Sequence, residues 1–172
     1  MKIAAVVACV LAGATAYALP PNPADFEAML ARVDAAQLEL QNGRAGPFKA
    51  LWSRAPDTTL SGGFGGRIEK GWDAINPRLD WVATQFSNAT HSRERVASSA
   101  SGDLAYVVQR EHIRFVPPGK TETVARDYRV TMIFRRENGE WRLLHRQADT
   151  NVTRQGGSNT AVGRSAARRR SA

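Results

Sequence analysis

The hydrophobic pattern changes period near Asn88, and this change constrains the fold more than any other feature of the sequence. Before it, apolar residues recur every three to four positions; after it, they alternate. The first spacing lays residues along one face of a helix, and the second puts them on one face of a strand. Phe26, Met29, Leu30, Val33, Ala36, Gln37 and Leu40 form one helical stripe, with Asp25 as the expected N-cap and Asn42-Gly43 as the stop. Pro47 opens a short second helix through Phe48, Leu51 and Trp52, and Pro56-Asp57 leads into an extended piece over 58–61. A glycine-rich loop, Gly62–Gly66, follows. A third helix is expected from about Gly71 to Phe86. It carries Trp72, Ile75, Leu79, Val82 and Phe86 on one side, Trp81 beside them, and Pro77 in its first turns, where proline is best tolerated.

The second half reads as four long strands, at about 90–100, 103–116, 122–136 and 140–151. Ser101-Gly102-Asp103 and Pro117-Pro118-Gly119-Lys120 separate the first three, and Glu137-Asn138-Gly139-Glu140 is a strong hairpin signal. Strands this long need a bent, well-covered sheet. Helices first and a strand meander afterwards predict an α+β domain, with N-terminal helices packed in a strongly curved, mostly antiparallel sheet.

The two ends of the chain differ from this middle. Met1-Lys2 is a short positive start, Ile3–Ala14 is uncharged and apolar, and Ala16-Tyr17-Ala18 is a small–x–small cleavage pattern. These are the parts of a secretory signal over residues 1–18, and the apolar run is shorter than the ~20 residues of a membrane span. The expectation is export, to a periplasm or out of the cell. Cys9 is the one cysteine and lies in the segment to be removed, so the mature chain has no disulfide and no thiol nucleophile. A lipidated Cys9 is disfavoured because almost no hydrophobic run precedes it.

The formal charge of +8 is concentrated at the ends. Residues 153–172 hold five arginines and no acid, whereas 19–152 carry 18 basic and 16 acidic side chains. The expected domain is therefore 19–152, followed by a basic tail, 153–172, whose composition predicts disorder. The domain itself has no basic face suited to specific nucleic-acid binding. Weak contact of the tail with polyanions or a membrane surface is the functional alternative to a merely solvated tail.

Several stretches resemble SnoaL-like domains of the nuclear transport factor 2-like superfamily. They are Leu51-Trp52, Thr59–Gly66, Gly71-Trp72-Asp73, Gly102-Asp103-Leu104-Ala105-Tyr106, Arg129–Arg136 and Gly139–Arg146. The likeness covers roughly 24–150. It implies a cone, or α+β barrel: a curved sheet around long helices, open at one end, and a homodimer through the sheet's outer face. The superfamily includes ketosteroid isomerases, polyketide cyclases, dehydratases, epoxide hydrolases and non-catalytic modules, so the fold does not define the activity. It requires no cofactor. The catalytic carboxylates of the ketosteroid isomerases and the acid/base set of the epoxide hydrolases have no recognisable counterparts here.

A proton-transfer site in such a cavity needs a desolvated carboxylate or imidazole and a neutral donor. His145 and Asp149 share one strand face by even spacing and are the catalytic candidates. Phe64, Trp72, Tyr106, Tyr128 and Arg129 are the pocket candidates; Phe64 and Trp72 owe this to the Gly-rich loop expected at the mouth. Arg110 and Arg129 are alternatively cross-strand partners of Glu111, Glu122 or Asp127. A bulge would reverse which face points inward, so alternation alone leaves the cavity set open. The loop lacks the spacing of a phosphate cradle. His91, His112 and His145 show no metal-ligand spacing, so no metal site is expected. Asn88-Ala89-Thr90 and Asn151-Val152-Thr153 are glycosylation sequons, meaningful only in a eukaryotic secretory pathway. Three functions remain open: binding of a small apolar or weakly polar molecule without turnover; a cofactor-independent isomerase, cyclase or dehydratase using His145 or Asp149; and a homodimeric interaction module.

Overall fold

The computed structural model describes residues 23–150, so the expected signal segment, Cys9, the second sequon and the basic tail lie outside the described residues. The elements run α1 (Pro23–Leu40), α2 (Ala45–Lys49), β1 (Thr59–Ser61), β2 (Glu69–Lys70), α3 (Trp72–Ala83), β3 (Ser87–Ser101), β4 (Leu104–Val116), β5 (Val124–Glu137) and β6 (Glu140–Thr150). This is the expected α+β order. The first helix starts earlier than its Asp25 cap predicted. Proline, with no N–H to leave unpaired, opens it at Pro23, and Asp25 lies in the first turn, where its charge complements the helix dipole. Likewise α2 begins two residues before Pro47. In α3, Pro77 falls at the sixth position, past the first turn.

One mixed six-stranded sheet has the order β2-β1-β6-β5-β4-β3. The meander β3–β6 is antiparallel throughout, while β1 joins β6 in parallel. Asn138 and Gly139 both adopt positive φ, 51° and 84°, as a two-residue hairpin whose twist suits its strands requires. Bulges interrupt β3 between Ser87 and Thr90 and between Arg95 and Ala97. Another inserts Leu144 into β6, because Leu143 pairs with Phe134 while His145 pairs with Ile133. Bulges bend strands and sharpen twist, and the sheet curves around the helices.

The core lies between the concave face and the helices. Phe26, Met29, Leu30 and Val33 of α1, and Ile75 and Leu79 of α3, meet Val107, Phe115, Val130, Met132, Phe134 and Leu143 of the sheet, all nearly solvent-free. Each such side chain contributes roughly 1.5–3 kcal/mol by leaving water. Asn42 ties the end of α1 to β3: its Oδ1 accepts from the Ala89 amide at 2.9 Å, and its Nδ2 donates to the Ala89 carbonyl at 3.3 Å. Arg93 pairs with Asp34, and Arg95 with Glu27 at 2.7 Å, so β3 holds α1 largely by charge.

Candidate functional site

The concave face of β4 is unusual among buried strand faces. Ala105, Val107, Gln109, Glu111, Ile113 and Phe115 all point inward, and two of these six are polar. Glu111 is fully buried. A lone carboxylate there would be prohibitively costly, and the structure surrounds it with donors. Arg146 Nη2 donates to Oε2 at 2.7 Å and Gln109 Nε2 to Oε1 at 3.0 Å. Gln37 Nε2, from α1, lies 3.3 Å from both oxygens. Three elements thus converge on one charge.

Beside this network is a cavity of about 60 Å³. Its walls are apolar: Leu40, Phe48, Leu60, Phe64, Leu79, Val82, Phe86, Ile113 and Ala148. Gln37, Gln41, Arg146 and Tyr128 supply the polar lining, and Gly62-Gly63 the rim. Glu111 stands behind Gln37 and Arg146 rather than in the lining. Gln37 Oε1, Gln41 Oε1 and Arg146 Nε are buried without a hydrogen-bond partner.

The glycine-rich loop closes over the Tyr128 ring. A Cβ on Gly63 would come within 2.5 Å of that ring, so the approach requires glycine. Phe64 packs edge-on to Trp81 and Phe86, with centroids 5.3 Å away in each case. Two arginines hold the loop from outside. Arg78 donates to the Gly65 carbonyl at 3.1 Å, and the Arg126 guanidinium lies 4.7 Å from the Phe64 centroid. Arg126 Nη1 also donates to Tyr128 Oη at 3.3 Å.

Two further titratable groups flank the Glu111 network. Burial pushes the Asp34 carboxyl up to about 6, against the opposing pull of Arg93 and Arg95; the nearby Glu111 charge adds to the rise. Burial likewise pushes the His91 imidazole down, and its Nε2 has no partner. Among the described residues, no group of three or more His, Cys, Asp and Glu is placed to hold a metal ion.

The residues singled out in the sequence separate into two groups. Phe64 and Tyr128 line the cavity. His145, Asp149, Arg129 and Tyr106 do not. The Leu144 bulge makes Arg146 and Ala148 the inward residues of β6 and turns His145 and Asp149 to the convex face. There His145 Nδ1 meets Thr59 Oγ1 at 2.8 Å, burial lowers its affinity for a proton, and Asp149 accepts from Gln147 at 2.8 Å. Arg129 lies opposite Asp149 in the ladder, and Tyr106 is exposed. Trp72 sits outside the cavity lining under the Arg54 guanidinium, 3.2 Å from its ring centroid. Of the two arginines, Arg110 pairs with Glu94 at 3.1 Å. Glu111, a suggested partner for them, faces the interior instead. Asp127 pairs with His112 at 2.7 Å.

Sequence reasoning missed Gln37, Gln41, Glu111 and Arg146. The signals were present but faint. Gln37 occupies a position of the apolar stripe, and Glu111 shares the phase of Val107, Ile113 and Phe115.

A curved sheet wrapped on its helices around a small cavity defines the nuclear transport factor 2-like cone. Residues 30–149 match the family profile of the SnoaL-like domain, and the chain belongs to that family. Solved structures share the fold. A nuclear transport factor 2-like superfamily protein from Salmonella enterica serovar Typhimurium superposes with a TM-score of 0.66 at 18% identity, over 78% of this chain and 94% of its own. For a ketosteroid isomerase-like protein from Erwinia carotovora the values are 0.64 and 16%, over 76% and 96%. For a candidate dehydratase of the same superfamily from Streptomyces avermitilis they are 0.61 and 18%, over 74% and 99%. Such identities speak for the fold alone. No curated protein sequence matches the chain.

Proposed function

We propose that this chain binds a small apolar or weakly polar molecule in its cone cavity, without turnover. The observation that carries this reading is the composition of the lining: apolar walls, a few polar side chains, and no Asp, Glu or His. Tyr128 and Arg146 are its only titratable side chains. The carboxylate bonded to the lining residues, Glu111, already accepts from Arg146, Gln109 and Gln37, which leaves little of either oxygen free to take a proton from a ligand. Binding is therefore better supported than proton transfer. At about 60 Å³ the space suits a compact ligand, far below the roughly 300–1,000 Å³ of drug-sized sites. The test is saturation-transfer NMR of the intact protein against small fragments, repeated with Val82→Phe to fill the cavity. Fragment binding that disappears in a still-folded variant supports the reading, and binding unchanged by Val82→Phe refutes it.

Export belongs to the same proposal and rests on the pattern of residues 1–18. An intact mass beginning at Leu19 in protein recovered from outside the cytoplasm is the expected result. A chain retaining Met1 there would overturn it.

A second reading, a homodimer, is favoured by the convex face. Leu104, Tyr106 and Ile133 are exposed together around a shallow hollow lined by Ser99, Ser101 and Thr131. Clustered exposed apolar side chains of this kind mark association surfaces. Sedimentation of the wild type as a dimer and of Ile133→Lys as a monomer is expected; a monomeric wild type rejects this reading.

A further inference from the structure

The inward row of β5 runs from Phe134 through Met132, Val130 and Tyr128 and ends on Arg126, at the end of the sheet where β4 and β6 also stop. The first four are buried, whereas Arg126 is partly exposed. Its guanidinium lies 4.7 Å from the Phe64 ring centroid and 5.6 Å from that of Phe115, and Nη1 donates to Tyr128 Oη at 3.3 Å. Phe64 and Tyr128 both line the cavity, so Arg126 is one contact away from the apolar space without belonging to its walls. Gly63 and Phe64 also form one side of an outer hollow, whose other side is Ala125, Arg126, Asp127 and Thr150. The same loop thus separates an apolar cavity from a hollow that holds a guanidinium.

That guanidinium has no counter-charge. Among the described residues, neither Arg126 nor Arg78, on the other flank of the loop, makes an ion pair; Asp127, the acid beside Arg126, is paired with His112 at 2.7 Å. All 16 acidic side chains of the sequence lie within the described residues, so no acidic side chain elsewhere in the chain can fill the place. Nε and Nη2 of Arg126 make no hydrogen bond, and neither is buried. An arginine resting on aromatic rings keeps such edge N–H groups free, and they match the two oxygens of a carboxylate. Arg78 adds a second positive charge: its guanidinium is 4.2 Å from the centroid of Trp81, the ring that packs edge-on to Phe64. Inside the cavity, by contrast, Arg146 is already matched by Glu111. The free positive charge is at the mouth, where an anion meets the guanidinium and keeps part of its water.

We infer that the ligand is a short-chain carboxylate, with its apolar body in the cavity against Leu79, Phe86 and Ile113 and its carboxylate at the mouth on Arg126. Arg78 strengthens the attraction from across Phe64. The inference rests on the cavity reading proposed above; it keeps the apolar body that reading requires and adds an anionic head outside the walls.

The test titrates the isotope-labelled full chain at low ionic strength with acetate, butyrate, pentanoate, pentanamide and pentylammonium, followed by amide chemical shifts. Affinity is expected to rise from acetate to pentanoate by about fourfold per methylene as the body fills the cavity. Pentanoate should bind about tenfold tighter than pentanamide, the gain of a charge-assisted hydrogen bond, and pentylammonium weakest of the five-carbon probes. Arg126→Met should abolish the preference for pentanoate and leave pentanamide unchanged, and Arg126→Lys should retain part of it. Arg114→Met, which removes the same charge from the convex face of β4, should change nothing. Pentanamide binding as tightly as pentanoate, with both lost in Val82→Phe, overturns the anionic head and leaves the cavity reading standing. Carboxylate binding that needs Arg126 but ignores chain length and Val82→Phe is a surface anion site and overturns both, as does binding of no probe at all.

Discussion

Arg146 on β6 and Glu111 on β4 meet at 2.7 Å although β5 runs between their strands. Strands two apart in a flat sheet are separated by about 9.5 Å, so the pair depends on long side chains and on the curvature that brings the inner faces together. Through Gln37 and Arg146 it ties the concave surface of the sheet, α1 and the cavity lining into a single electrostatic arrangement.

Breaking this pair from one side should be worse than removing it whole. Arg146→Met or Glu111→Leu alone leaves a buried charge unmatched and is expected to cost about 3–5 kcal/mol. The double variant should lose well under the sum, because neither charge is then stranded. Urea unfolding of all four proteins measures the coupling, and additive losses would show that the two charges do not stabilise one another.

Gly63→Ala should destabilise the protein through a single contact. Its Cβ would fall 2.5 Å from Tyr128 Cε1, so the loop or the ring must shift, at about 1–3 kcal/mol for overpacking. In a Tyr128→Leu background the same change should cost markedly less. Thermal melts of the four proteins decide the matter; an equal cost in both backgrounds would place the effect elsewhere.

Asp34 and His91 should give opposite slopes of stability against pH. The Asp34 carboxyl is raised from 3.8 to about 6, so the folded state holds its proton more tightly than the unfolded state does. Its favourable contribution is complete below pH 3.8 and is lost as pH rises through 6. His91 is lowered from 6.5, so its contribution is present above that value and is lost as pH falls through the folded pKa. Asp34→Asn should therefore remove a decline in stability between pH 4 and 6, and His91→Gln should remove acid sensitivity. Denaturant midpoints across that range, compared with wild type, provide the check; an unchanged pH profile in Asp34→Asn would contradict the burial assigned to that carboxyl.

His145→Gln and Asp149→Asn should leave cavity binding within about twofold of wild type, since each adds or removes about 0.4 kcal/mol at most at a remote site. Both side chains project from the convex face. Fragment affinities measured on the two variants test this, and a tenfold loss in either would reopen them as pocket residues.

The long-range architecture was legible in the sequence because it depends on periodicity and turn chemistry, both local properties. The stripe from Phe26 to Leu40 and the Asn138-Gly139 hairpin appear where the spacing places them, and the four long strands begin and end within three residues of the expected bounds. Helix starts were less legible. Asp25 and Pro23 are both good first-turn residues, and only the packed helix shows that the proline comes first.

The direction in which each strand faces belongs to tertiary structure. Alternation counted from Trp141 would carry His145 and Asp149 inward, and one unpaired residue, Leu144, reverses that count for the rest of β6. The same reversal places Arg146 beneath Glu111. No local property of Arg146 distinguishes it from the exposed arginines on either side of the sheet. Its burial depends on a carboxylate supplied from β4 and an amide from α1, contacts that exist only once the curved sheet closes on the helix. The sequence alone therefore determined an α+β chain with a loop of glycines before its four long strands. The folded sheet decided which polar residues face the cavity, because a bulge and a curvature, not a pattern, set the inward phase.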